Sequence, residues 1–135
     1  MKLIFALLFM AALAADAPKK PQTQPTTRTV SRKDVGPDEF EKLWKDKKGI
    51  VLDVRTAKEF QSGHIPGALN IDINSPDFDK KISDLDRSQT YLVHCAAGIR
   101  SVRACEKMSK LDFKNLINLQ GGLKAWEKAG KPVEK

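Results

Sequence analysis

The sequence is poor in the residues that build redox frameworks and metal centres. It has two cysteines, Cys95 and Cys105, and two histidines, His64 and His94, in 135 residues. No C-x-x-C or H-x-x-x-H spacing occurs, and His94 and Cys95 are neighbours on a predicted strand, where adjacent side chains point to opposite faces. No metal is therefore expected. A Cys95–Cys105 disulfide is also excluded, because Cys105 falls more than a turn into a predicted helix, beyond the roughly 7 Å that the bond allows between Cα atoms. Aromatic residues make up 7% and do not interleave with the basic ones, so the formal charge of +7 does not read as a nucleic-acid surface. Its lysines are spread out, giving a diffuse field that draws in small anions.

Long hydrophobic runs are scarce as well. The one from Leu3 to Leu13 is shorter than the roughly 20 residues of a membrane span, so no stable membrane anchor is expected. With Lys2 before it and Ala12-Leu13-Ala14 closing it, residues 1–14 read as a secretory signal peptide cleaved after Ala14, which places the mature protein in the periplasm or outside the cell. Residues 15–29, rich in Pro, Thr, Gln and Lys and without apolar periodicity, read as a flexible linker. Residues 30–135 have the length of one ordinary domain.

Within that domain, short apolar runs alternate with helical patterns. Pro37 to Lys48 reads as a helix with Phe40, Leu43 and Trp44 on one stripe, and Ile50 to Val54 as a buried parallel-type strand. Thr56-Ala57-Lys58-Glu59 is a capping box opening a short helix, and Leu69 to Ile71 is a short strand. An irregular helix is expected within Pro76 to Leu85, strands at Tyr91 to Val93 and Leu116 to Leu119, and a last helix carrying Leu123 and Trp126. Such alternation predicts an α/β fold, a mostly parallel central sheet covered by helices on both faces.

The stretch Y-L-V-H-C-A-A-G-I-R-S, Tyr91 to Ser101, is where chemistry is expected. A strand ends in Cys95, a loop of small residues follows, and a helix begins, with Val102, Cys105, Met108 and Leu111 on its buried stripe. Unpaired backbone N–H groups at such a helix start form an anion cradle, and a thiol on its rim ionises readily. Cys105 reads as core. Asp53, inside its strand, needs backbone N–H groups or an arginine to be buried. His64, in a glycine-flanked turn, reads as a residue that bonds backbone groups.

The run C-A-A-G-I-R resembles the active-site loop of the rhodanese (sulfurtransferase) family. L-D-V-R-T-A-K-E-F-Q-S-G-H-I-P-G-A from Leu52 and G-G-L-K-A-W from Gly121 resemble its flanking motifs, in the same order. The resemblance implies the small rhodanese α/β fold and a sulfurtransferase in which Cys95 takes a sulfane sulfur from thiosulfate or a persulfide and passes it to cyanide or a thiol. Ala96, Ala97, Gly98, Ile99 and Arg100 would bind the donor or the persulfide, with Arg55 a weaker candidate for the same anion. The partners it implies are small-molecule donors and acceptors, or a protein or thiol acceptor, and the scheme needs no cofactor. The loop offers no cation beyond Arg100, so weak thiosulfate binding is expected. A non-catalytic binding module or protein-to-protein sulfur carrier is the alternative. A rhodanese-like phosphatase or arsenate reductase fits less well: those resemble C-x5-R, whereas four residues separate Cys95 from Arg100.

Overall fold

The computed structural model describes residues 31–135; the predicted signal peptide and linker lie outside them. Five parallel strands form one sheet in the order β1-β5-β4-β2-β3, where β1 is Arg32–Val35, β2 Ile50–Asp53, β3 Leu69–Asn70, β4 Tyr91–His94 and β5 Leu116–Leu119. The helices are α1 (Pro37–Lys45), α2 (Ala57–Ser62), α3 (Phe78–Ser83), α4 (Ile99–Lys110) and α5 (Gly122–Lys128).

Side-chain alternation along β2 and β4 divides the core in two. Leu52, Val54, Tyr91 and Val93 pack with Phe78 and Ile82 of α3 and with Ala104, Cys105 and Met108 of α4. Val51 and Leu92 face the other way, towards Phe40 of α1 and Leu123 and Trp126 of α5. Both faces of the sheet are thus covered, as the alternation of elements requires. Cys105 is fully buried in the first cluster, and burial pushes its thiol up to about 12, so it is an inert core residue.

One strand has no counterpart in the sequence reading. β1 carries Arg32-Lys33-Asp34 and buries only Val35. It is an edge strand, held by pairing with β5 from Arg32↔Leu116 to Val35↔Leu119. Tertiary pairing, not apolar patterning, makes it a strand. The start of β2 also departs from the expectation of full burial, with Ile50 39% exposed.

The second core layer is anchored by aromatic rings. Trp126 is fully buried and meets Phe40 and Trp44 edge-on at 5.9 and 5.7 Å between centroids, while its Nε1–H donates to the Pro132 carbonyl at 2.8 Å. Trp126→Ala should therefore cost about 3–5 kcal/mol of unfolding free energy in urea denaturation. A cost below about 1 kcal/mol would contradict this packing.

Candidate functional site

The site is built where β2 and β4 end side by side, Asp53 opposite His94. In open α/β sheets that edge is the place for a ligand. Immediately beyond β4 lies Cys95, 1% exposed at the floor of a cavity of about 480 Å³. Its walls are Ala96, Ala97, Ile99 and Arg100 of the loop and the start of α4, with Glu59 of α2 and Lys124 of α5.

Around Sγ the loop is wound so that polar hydrogens point inward. The Gly98 N–H donates to Sγ at 3.1 Å, and the Ser101 hydroxyl lies 3.4 Å away. Gly98 has φ of 100°, a left-handed conformation that suits glycine, and its N–H reaches back to the sulfur from there. Burial alone would raise the Cys95 pKa. Hydrogen bonds from the Ser101 hydroxyl and the N–H groups of Ser101, Gly98 and Ala97 outweigh it, and the thiol sits below its ordinary value. Donors arranged in this way favour negative charge on the sulfur.

The loop is fixed from behind by α5. The N–H groups of Leu123 and Lys124 donate to the carbonyls of Cys95 and Ala96 at 2.8 and 3.0 Å. Gly122 permits that approach: a Cβ there would lie 2.6 Å from the Ala96 carbonyl group and from the Cys95 oxygen, and its φ is +61°. The G-G-L-K-A-W stretch is therefore part of the site's construction.

Arg100 does not point freely into the cavity. Its two terminal nitrogens donate to the two carboxylate oxygens of Glu59 at 2.8 and 2.9 Å. Glu59 also completes the Thr56 capping box, so a single carboxylate ties the loop to α2. The guanidinium and the Thr56 N–H hold the Glu59 carboxyl down at about 2.

Arg55 requires a correction. It is buried, with Nε and Nη2 on the Asp53 carboxylate at 2.6–3.0 Å and Nη2 also on the Gly63 carbonyl, and it does not line the cavity. A carboxylate buried on the strand needs a cation, and Arg55 supplies it in place of binding a substrate anion. Asp53 thus has the structural role expected of it. His94 lies beside this pair, fully buried, with Nε2 3.6 Å from Asp53 and Nδ1–H donating to the Cys95 carbonyl at 3.1 Å. Burial holds its pKa down, against the pull of Asp53, and keeps it neutral. His64 stacks on Phe60 at 3.8 Å and donates Nδ1–H to the Phe60 carbonyl at 2.8 Å, the backbone-bonding role its turn suggests.

Ser101 and Lys124 escape the sequence reading, and Glu59 is legible only as the end of a capping box. Ser101 could have been found as a small polar residue on the first turn of α4, next to the buried stripe. Lys124 has no local signal, because it reaches the loop only through the packing of α5.

The profile of the rhodanese-like domain matches residues 36–129, most of the chain. The chain belongs to the rhodanese-like family. It is 35% identical over 92 residues to the putative sulfurtransferase YtwF of Bacillus subtilis, covering 68% of this chain and 86% of that protein. A sulfurtransferase of Allochromatium vinosum is 29% identical over 84 residues, covering 62% of this chain and 77% of its own length. Among solved structures, a rhodanese-related protein from Thermoplasma volcanium superposes with a TM-score of 0.68 at 32% identity, over 76% of this chain and 97% of that one. The rhodanese-like domain thus carries its loop cysteine on a built cradle.

Two outcomes follow from this geometry. Ser101→Ala should move the midpoint of the pH profile for iodoacetamide alkylation of Cys95 upward, since a donor to the thiolate is lost; an unmoved midpoint would remove Ser101 from the site. For Glu59, the folded pKa lies below the unfolded one, so its contribution to stability is present above about 4.5 and is lost as pH falls towards about 2. Acid unfolding of Glu59→Gln should accordingly be flatter than that of the wild type across that window.

Proposed function

We propose that this rhodanese-like protein is a sulfurtransferase in which Cys95 carries the sulfur. The observation that supports this most directly is the buried Sγ held by the Gly98 N–H and the Ser101 hydroxyl, with the N–H groups of Ala97 and Ser101 adding to the same field. Such a ring of donors stabilises an anion on sulfur before any substrate arrives.

The Cys95 thiolate attacks the outer sulfur of thiosulfate or of a persulfide. A new S–S bond forms on Cys95 while the donor's own S–S bond breaks, and the electron pair leaves with sulfite or with a thiolate. The Cys95 persulfide anion then gives its terminal sulfur to cyanide, producing thiocyanate, or to an acceptor thiol, and the Cys95 thiolate returns. Charge is conserved in each half without an external proton, oxidant or cofactor.

Phosphoryl or arsenate chemistry is disfavoured by the same loop. Only four residues separate Cys95 from Arg100, and both terminal nitrogens of Arg100 are engaged by Glu59. A tetrahedral oxyanion needs a wider cradle and a free guanidinium fork. The N-terminal stretch supports a further element of the proposal, that the protein is exported and cleaved after Ala14; the mass of the protein recovered from expressing cells tests it, a mature chain starting at Ala15 being the expected result.

Steady-state thiocyanate formation tests the activity. Wild type and Cys105→Ser should turn over thiosulfate or glutathione persulfide with cyanide, and Cys95→Ser should fall to background, a loss of at least about 10³-fold. Equal rates for Cys95→Ser and wild type would refute the proposal.

A further inference from the structure

Among the described residues, Arg100 and Lys124 line the cavity and Arg55 is buried at the strand end beneath it; both arginines already have carboxylates. Arg55 is closed off by Asp53, and Arg100 is matched by Glu59 through two hydrogen bonds. Lys124, the third, lines the cavity over Cys95 and makes no ion pair with any of the described residues. Its backbone N–H is fixed to the Ala96 carbonyl at 3.0 Å, which plants the residue at the cavity wall while its side chain stays exposed. Ala96, Ala97 and Ile99 add no charge, so with Glu59 and Arg100 cancelling, Lys124 sets the net charge of the mouth.

That charge matters because the reaction brings two anions together. A donor such as thiosulfate approaches a thiolate, and like charges repel strongly near a buried site. Resting on the sulfur-transfer reading above, we propose that Lys124 is the donor-binding cation, its ammonium pairing with the anionic group that leaves once the donor's outer sulfur has been captured. A lysine on a flexible four-carbon stem suits this task, since it can follow the leaving group outward as the S–S bond breaks. The donor class is then one whose leaving group bears negative charge beside the sulfane sulfur, as a sulfonate or a carboxylate-bearing thiol does. On this proposal the cation that the loop lacks beyond Arg100 comes from α5.

The test compares two alkylating probes of similar shape and different charge, iodoacetate and iodoacetamide, on Cys95 in wild type, Lys124→Gln, Lys124→Glu and Lys124→Arg. The rate ratio of iodoacetate to iodoacetamide should fall about threefold in Lys124→Gln and about tenfold in Lys124→Glu, and Lys124→Arg should restore it. KM for thiosulfate should rise by similar factors with kcat changed less, and added salt should shrink the difference. Ratios and KM values that are the same in wild type and Lys124→Glu, with Cys95 alkylated and loaded with sulfur in both, would overturn the Lys124 assignment and leave sulfur transfer standing. A wild type whose Cys95 alkylates with the expected charge preference but accepts no sulfur from thiosulfate or glutathione persulfide would overturn the transfer reading, and the donor role of Lys124 with it.

Discussion

Two backbone hydrogen bonds hold the site in its working form: Leu123 N–H to the Cys95 carbonyl and Lys124 N–H to the Ala96 carbonyl. In a planar trans peptide the C=O and the following N–H point in opposite directions. Fixing those carbonyls on α5 therefore turns the N–H groups of the loop the other way, and the Ala97 N–H joins those of Gly98 and Ser101 in lowering the Cys95 pKa. The chain can approach so closely only because residue 122 has no Cβ. A glycine near the end of the domain thus shapes the surroundings of a cysteine far earlier in the sequence.

Charge is arranged in layers around this clamp. Beneath it, Asp53 and Arg55 form a buried pair beside a neutral His94, at the place where the backbone pairing of β2 with β4 ends and the Val54 N–H donates to the His94 carbonyl. At its side, Glu59 and Arg100 tie the loop to α2. A buried ion pair such as Asp53–Arg55 is weak as a source of net stability but strong as a fixer of geometry, and the part-exposed Glu59–Arg100 pair holds the loop in place while lining the cavity. Facing the cavity between these pairs are the N–H groups of the loop, the Ser101 hydroxyl and the exposed side chain of Lys124.

Much of this is legible in the order of the residues. The switch from an apolar strand to small residues to a 3.6-residue period locates Cys95 at a strand end and a helix start, and the T-x-x-E capping box forms as its pattern requires, with Thr56 and Glu59 bonded reciprocally. What local pattern cannot show is partnership at long range. Arg55 and Arg100 look alike as cations near a crevice, and only the fold reveals that each has a carboxylate. β1 is invisible for the same reason, because its charged residues become a strand through pairing with β5, 84 residues away at Asp34 and Asn118. Lys124 belongs to this class too: its place beside Cys95 depends on the approach that Gly122 permits.

Sulfur transfer at this site requires Cys95 to become a persulfide that the cradle stabilises. The most direct measurement is the intact mass of the purified protein after incubation with thiosulfate or glutathione persulfide and removal of the excess donor, followed by fragmentation to locate any added mass. The expected result is a gain of one sulfur atom on Cys95, none on Cys105, and its removal by cyanide. An unchanged mass with both donors, or sulfur found on Cys105 alone, would rule out the Cys95 persulfide.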